Sequence, residues 1–319
     1  MQNLLEKINQ KILSLNIPAQ PVGLYEPVTY TLALGGKRMR PVLTLLGHSL
    51  FSDENENAVD AAVALEVFHN FTLLHDDIMD NAPLRRGKPT VWKKWGSNTA
   101  TLSGDVMLIM AYDLLSGYEP SVLKKILPVF NAAAIKVCEG QQLDMNFETT
   151  ENVSIADYLH MIELKTAVLL GASLQLGAVI AGADEKDGKN LYEFGKNTGI
   201  AFQLQDDILD VFGEAEKFGK QVGGDIVSNK KTFLLLKAFE LADEATSAKL
   251  KILLNEKDEL KKVKEVKEIY HLLDVKKSAE NEMQRFYSKG LSSLEKVNVP
   301  SEKKKMLTDF TGQLMQRQS

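Results

Sequence analysis

Two stretches of the chain carry carboxylates at a spacing that can hold a metal ion. In Leu73-Leu74-His75-Asp76-Asp77-Ile78-Met79-Asp80 an apolar helix suddenly presents three aspartates. Asp76 and Asp80 lie one turn apart, within ~40° on one helix face. Asp77 points ~100° away, which makes it a support for the ligands rather than a ligand. The pattern recurs in Phe202-Gln203-Leu204-Gln205-Asp206-Asp207-Ile208-Leu209-Asp210. A single such motif reads more readily as a solvated helix end. Two of them, each needing compensation if buried, point to hard divalent cations, which take carboxylate and phosphate oxygens and keep some water. Facing pairs Asp76/Asp80 and Asp206/Asp210 would suit several Mg²⁺ ions clamping a diphosphate across a helical pocket, whereas zinc would call for His or Cys. Gln203 shares the helix face of Asp206, and Gln141 that of Asp144, so both extend the polar wall.

Cations stand near these carboxylates. Leu34-Gly35-Gly36-Lys37-Arg38-Met39-Arg40-Pro41 reads as a helix stop, a basic loop and a new helix with Pro41 in its first turn, a place where anions bind well. Arg85-Arg86-Gly87 follows the first aspartate helix within a few residues, and guanidinium groups grip phosphate bidentately. Either basic group alone is ordinary surface charge; together with two aspartate motifs they describe a site for diphosphates.

The elements that must position these groups are helices. Apolar residues recur at helical spacing, as in Leu4, Leu5, Ile8, Ile12 and Ala61, Ala64, Leu65, Phe68, and strand-like alternation is absent. Breaks fall at Gly35-Gly36, Asp53–Asn57, Asn81–Gly96, Gly117–Pro120, Gly182–Asn190 and Gly213–Ser228, giving about ten or more helices. The Lys/Glu-rich run Glu256–Glu268 reads as a solvated helix face. Thr166–Ala183 carries no charge and reaches the lower length limit of a membrane span, but Gly171, Ser173, Gln175, Gly177 and Gly182 mark it as a buried central helix, and no transmembrane segment is expected.

Composition narrows the class. The chain has 319 residues, 44% hydrophobic, with no linker-like stretch and no repeat, so one domain spanning 1–319 is expected. A net charge of −5 with scattered Lys and Arg excludes a nucleic-acid partner. The single cysteine, Cys138, cannot form an internal disulfide and reads as structural, and Glu6, Lys7 and Lys11 break any signal-peptide core; a cytoplasmic location is expected.

Through GGKRMRP, LLHDDIMD, the RRG after it, GQQLD, LKT, FQLQDD and GGDIVSNKKT, the stretch Gly35–Thr232 resembles the polyprenyl synthetase family of trans-isoprenyl diphosphate synthases. Residues after Thr232 match only in helical character. The resemblance implies an all-α isoprenoid synthase bundle around a central apolar pocket, a homodimer, and head-to-tail condensation of isopentenyl diphosphate with an allylic diphosphate, using about three Mg²⁺ per active site. By position it implies metal ligation by Asp76, Asp80, Asp206 and Asp210. Arg85, Lys165, Gln203, Lys220 and Lys230 would hold the allylic diphosphate, and Lys37, Arg40, His69 and Arg86 isopentenyl diphosphate. Lys165, Thr166 and Gln203 would act at the reacting centre. His69 stands seven residues before Asp76, on almost the same helix face. The family's tunnel floor falls on Phe68–Thr72, where Phe68 and Phe71 limit the product to C15–C20, C20 favoured. A class I terpene cyclase shares the expected fold and metals, and Asp206–Glu214 approaches its pattern; Asp210 argues against it. A non-catalytic partner subunit is the other alternative, against the full set of aspartates.

Overall fold

The computed structural model describes residues 1–213 and 223–315. The fold is all-α; among the described residues the one exception is a two-residue ladder, β1 (Leu84–Arg85) antiparallel to β2 (Lys88–Pro89). The chain forms two compact units: Met1–Ala132 with Ala172–Tyr192 and Val297–Lys304, and Ala133–Gly171 with Glu193–Lys296 and the segment from Lys305.

The first unit contains α1 (Gln2–Leu13), α2 (Val22–Ala33), α3 (Met39–Ser49), α4 (Val59–Met79), α5 (Val91–Trp95), α6 (Ser97–Ser116) and the start of α7 (Pro120–Thr149). Its centre is α4. Ala61 through Phe68 are all buried, so this stretch of the helix has no solvated face and its neighbours α1, α3 and α6 must surround it. Small residues make the crossings close. On α3, a Cβ at Gly47 would stand 2.4 Å from the Leu174 carbonyl oxygen, and one at Gly177 would stand 1.9 Å from that of Thr44.

The second unit contains the end of α7, then α8 (Ile155–Ile162), a π-turn (Glu163–Ala167) and the first residues of α9 (Val168–Ile180). It continues with α10 (Glu185–Phe212) from Glu193, α11 (Gly224–Val227), α12 (Phe233–Leu241), α13 (Glu244–Leu253), α14 (Glu259–Leu272), α15 (Val275–Glu295) and most of α16 (Ser301–Met315). Tyr158, Ile162, Leu204, Ile208, Phe233, Val266 and Phe286 build its core. Sequence-encoded caps set several helix starts: Ser154 and Asp157 form a capping box on α8, and Asp243 and Asp258 accept from Thr246 and Lys261 at the starts of α13 and α14.

Some local expectations change. The Asn81–Gly96 break holds the hairpin and α5 rather than plain loop. The Gly182–Asn190 break shortens, because Asp184 accepts from the Asp187 amide and α10 starts at Glu185. Cys138 is exposed, not a core thiol. In the charged run, Lys262 is only 3% exposed, so that face is not wholly solvated. Ile155–Ile180 is long and apolar enough to cross a membrane, but 72% of its apolar window is buried inside the protein, the burial of a core helix.

Candidate active site

Asp76 and Asp80 close the last turn of α4, Asp76 half-buried and Asp80 exposed. Asp77 turns inward, 3% exposed, and takes Arg85 through Nε at 2.8 Å and Nη2 at 2.7 Å. Burial pushes the Asp77 carboxyl up, and the Arg85 guanidinium opposes it. Arg85 reaches back because the chain reverses in a hairpin with Arg86 and Gly87 at its tip, both with positive φ (53° and 72°). Thr90 Oγ1 and Trp92 Nε1 pin the hairpin's root by donating to the Ala82 carbonyl at 2.7 and 2.8 Å.

Arg86 points to the basic loop instead. Its Nη1 donates to the Gly35 carbonyl, and its guanidinium carbon lies 2.7 Å from where a Gly36 Cβ would be, at a φ of +131° that glycine alone adopts readily. Half-buried Arg40 follows on α3, its guanidinium pushed down to about 10 by burial, with Glu66 opposing. Half-buried His69 is pushed well below the usual imidazole range by burial and by Arg40, Arg86, Arg85 and Arg38, so it is neutral. Lys37 lies exposed on the loop between α2 and α3. Arg38, Glu66 and Asn70 are a support missed in the sequence. Arg38 donates to Glu66 Oε1 at 2.6 Å and the Leu32 carbonyl at 2.8 Å, and Asn70 Nδ2 donates to Glu66 Oε1 at 3.1 Å. The available signal was a lone Glu in an apolar run.

Phe68 and Phe71 are buried in the same unit, their ring centroids 5.6 Å apart. Phe68 meets Phe130 at 5.2 Å, and Phe71 meets His75 edge-on at 4.7 Å. A Cβ at Gly104 on α6 would stand 2.4 Å from His75 Nε2 and 3.4 Å from Phe71, so only glycine leaves room for this stack.

In the second unit, Asp206 and Asp210 are half-buried and Asp207 turns inward, 4% exposed. Tyr158 on α8 donates to Asp207 Oδ2. Burial, reinforced by Asp225, pushes the Asp207 carboxyl up to about 8. Asp210 receives the returning chain: its carbonyl accepts from the Gly223 amide at 2.7 Å and its Oδ2 from the Asp225 amide at 3.0 Å. Lys165 lies in the π-turn, its Nζ 2.5 Å from Asp144 Oδ2, and Thr166 Oγ1 donates to Gln203 Oε1 at 3.4 Å. Two glycines let the widened turn fit. A Cβ at Gly140 would meet the Lys165 amide nitrogen at 2.2 Å, and one at Gly199 the Ala167 Cα at 2.8 Å. Lys230 follows α11 in the segment leading to α12; Lys220 lies outside the described residues.

Among the described residues, no three His, Cys, Asp or Glu side chains make a metal site by themselves. The donors offered are carboxylate pairs, Asp76/Asp80 and Asp206/Asp210, which suit a hard cation that completes its shell with water and phosphate oxygens. Asp77 and Asp207 are turned away and already engaged by Arg85 and Tyr158.

The Polyprenyl synthetase family model matches residues 21–273. The chain belongs to the polyprenyl synthetase family. This polyprenyl synthetase is 38% identical over 300 residues to a geranylgeranyl diphosphate synthase of Sulfolobus acidocaldarius, covering 90% of each chain. Among solved structures it is similar to a geranylgeranyl pyrophosphate synthase at 47% identity and a TM-score of 0.93, over 100% of this chain and 98% of that one. It is also similar to a polyprenyl synthase from Caulobacter crescentus, complexed with calcium and isoprenyl diphosphate, at 27% identity and a TM-score of 0.85, over 100% and 95% of the two chains.

Proposed function

We propose that this polyprenyl synthetase condenses isopentenyl diphosphate head-to-tail with an allylic diphosphate and releases a C20 product, geranylgeranyl diphosphate. The observation that carries this reading is that one unit holds two distinct places for anions. One is the Asp76/Asp80 pair, which needs a cation; the other is the Arg40, Arg86 and neutral His69 group, which needs none. Two diphosphates ask for those two places. The geranylgeranyl synthases among its relatives support the product, and the relative complexed with calcium and isoprenyl diphosphate supports the use of a divalent cation.

Asp76, Asp80, Asp206 and Asp210 would hold about three Mg²⁺ against the allylic diphosphate. Magnesium, when bound, supplies the positive charge that eases departure of the diphosphate. Arg85, Lys165, Gln203, Lys220 and Lys230 would orient that group, while Lys37, Arg40, His69 and Arg86 grip isopentenyl diphosphate without metal. As the allylic carbon–oxygen bond breaks, the Thr166 hydroxyl and the Lys165 carbonyl stabilise the cation left behind. The C3–C4 double bond of isopentenyl diphosphate attacks it, and the C2 proton passes to the released diphosphate. No side chain is needed as the base. Phe68 and Phe71 would floor the tunnel at C20. Exposed Leu102 (58%) and Ile109 (66%), two turns apart on α6, support a homodimer through that helix.

The deciding experiment supplies Mg²⁺, labelled isopentenyl diphosphate and dimethylallyl, geranyl or farnesyl diphosphate in turn, and sizes the products. Elongation to C20 is expected. No elongation from any primer would sink the reading, and a cyclic hydrocarbon made without consuming isopentenyl diphosphate would favour a terpene cyclase.

A further inference from the structure

The charged run at α14 contains a lysine in an unusual place. Lys262 is 3% exposed and makes no ion pair among the described residues, although the charge of Glu259, one turn back on the same helix, acts on it. Its Nζ donates instead to two main-chain carbonyls, Val227 at 3.0 Å and Leu254 at 3.2 Å. A buried ammonium whose hydrogen bonds all go to neutral acceptors carries a desolvation cost that Glu259 offsets only in part and that an apolar side chain would avoid.

What it holds is the segment that returns to the second aspartate pair. Val227 is the last residue of α11, whose start is tied to Asp210 through the Gly223 and Asp225 amides. Asn229, with φ of 55°, donates its Nδ2 to the same Leu254 carbonyl at 2.9 Å, and the Lys230 amide donates to the Asp225 carbonyl at 2.9 Å. Further on, Lys231 Nζ donates to the Phe147 and Thr150 carbonyls at the end of α7. The α14 side is packed closely: a Gly223 Cβ would stand 2.8 Å from Val263 Cγ1, and the void lined by Asp225, Lys230, Val266 and Tyr270 is only about 10 Å³.

We propose that Lys262 is a positioning residue for the allylic half of the site: it locks residues 223–232 onto α14 and α13, and thereby sets the Asp210 carboxylate and the Lys230 ammonium. The proposal rests on the allylic role of Asp210 and Lys230 given above. It gives the C-terminal helices, where family likeness was weakest in the sequence, a part in binding.

The test compares Lys262→Met, which keeps an unbranched apolar stem, and Asn229→Ala, an exposed position, with the wild type. Lys262→Met is expected to raise the KM for the allylic diphosphate and the half-saturating Mg²⁺ concentration about tenfold (~1.4 kcal/mol). The KM for isopentenyl diphosphate stays within about twofold, and the melting temperature holds or rises because the buried charge is gone. A role in folding alone predicts a lower melting temperature with both KM values unmoved. Amide exchange is expected to quicken in 223–232 and not in α8. Asn229→Ala should move the allylic KM the same way, about threefold. Equal rises in both KM values, or unchanged exchange across 223–232 in folded Lys262→Met, would overturn the proposal. Should Lys262→Met fail to fold, an unchanged allylic KM in Asn229→Ala overturns it. The exchange comparison needs no turnover, so it stands apart from a wild type that elongates nothing, which would sink the functional reading instead.

Discussion

Asp77 and Asp207 occupy the same place in two copies of one motif, yet they meet opposite surroundings. Asp77 meets a guanidinium; Asp207 meets a phenol and, beyond it, the like charges of Asp225 and Asp206. In the unfolded chain Asp207 loses its proton near ~3.9, whereas in the folded protein it keeps it to about 8. Between those values the folded state holds the extra proton, so stability drains away as pH rises through that window. Asp207→Asn should flatten that fall, as read from melting temperatures between pH 4 and pH 8 without metal; parallel profiles for the two proteins would refute it. His69 works in the other direction. Its folded pKa is depressed, so the unfolded chain gains a proton below ~6.5 that the folded protein refuses, and stability falls as pH drops below that point. His69→Gln should remove this component, and the KM for isopentenyl diphosphate should show no imidazole titration between pH 6 and pH 8. The aspartate pairs were legible in the sequence because their geometry is local, one turn of one helix. Arg38 and Glu66 were not, because their pairing spans 28 positions and depends on how the basic loop lies on α4. Glu66→Ala should cost about 3–5 kcal/mol in denaturant unfolding, by stranding a buried guanidinium.

Helical periodicity sufficed to place α4, the start of α6 after Gly96 and the helical second aspartate stretch, since apolar residues at helical spacing between Gly-, Pro- and Asn-rich breaks mark a helix. It could not show the π-turn. Glu163–Ala167 has ordinary helix-forming residues, and the extra width exists because Gly140 and Gly199 concede space to its backbone. Gly140→Ala should therefore cost about 1–3 kcal/mol and lower turnover far more than the charge-preserving change itself suggests, because Lys165 and Thr166 must move; turnover unchanged in a folded variant would separate the turn from the chemistry. On α4, Phe71→Ala opens the stack with Phe68 and His75 and should shift the product beyond C20, measured by chain-length analysis. Unchanged length would put the tunnel floor elsewhere.

At the scale of the molecule, the family likeness seen from Gly35 to Thr232 extends in the comparison to residues 21–273, taking in α14. That helix looked like a solvated face because charge composition says nothing about which lysine turns inward; Lys262 does, as its burial and its bonds to the Val227 and Leu254 carbonyls show. Self-association is testable through α6: Leu102→Glu with Ile109→Glu should reduce the mass in light scattering to that of one chain if the stripe meets a second copy.

Arg86 rests on the Gly35 carbonyl, in a seat that exists because Gly36 has no side chain. A neutral carbonyl is a weaker acceptor than a phosphate oxygen, so the arm is parked rather than committed: its rotamers are already restricted before any anion arrives, and it gives up little in changing partner. Gly36→Ala would leave every cation of the group in the chain while removing the parking place. A weaker grip on isopentenyl diphosphate in that variant would measure what advance orientation is worth, separately from charge.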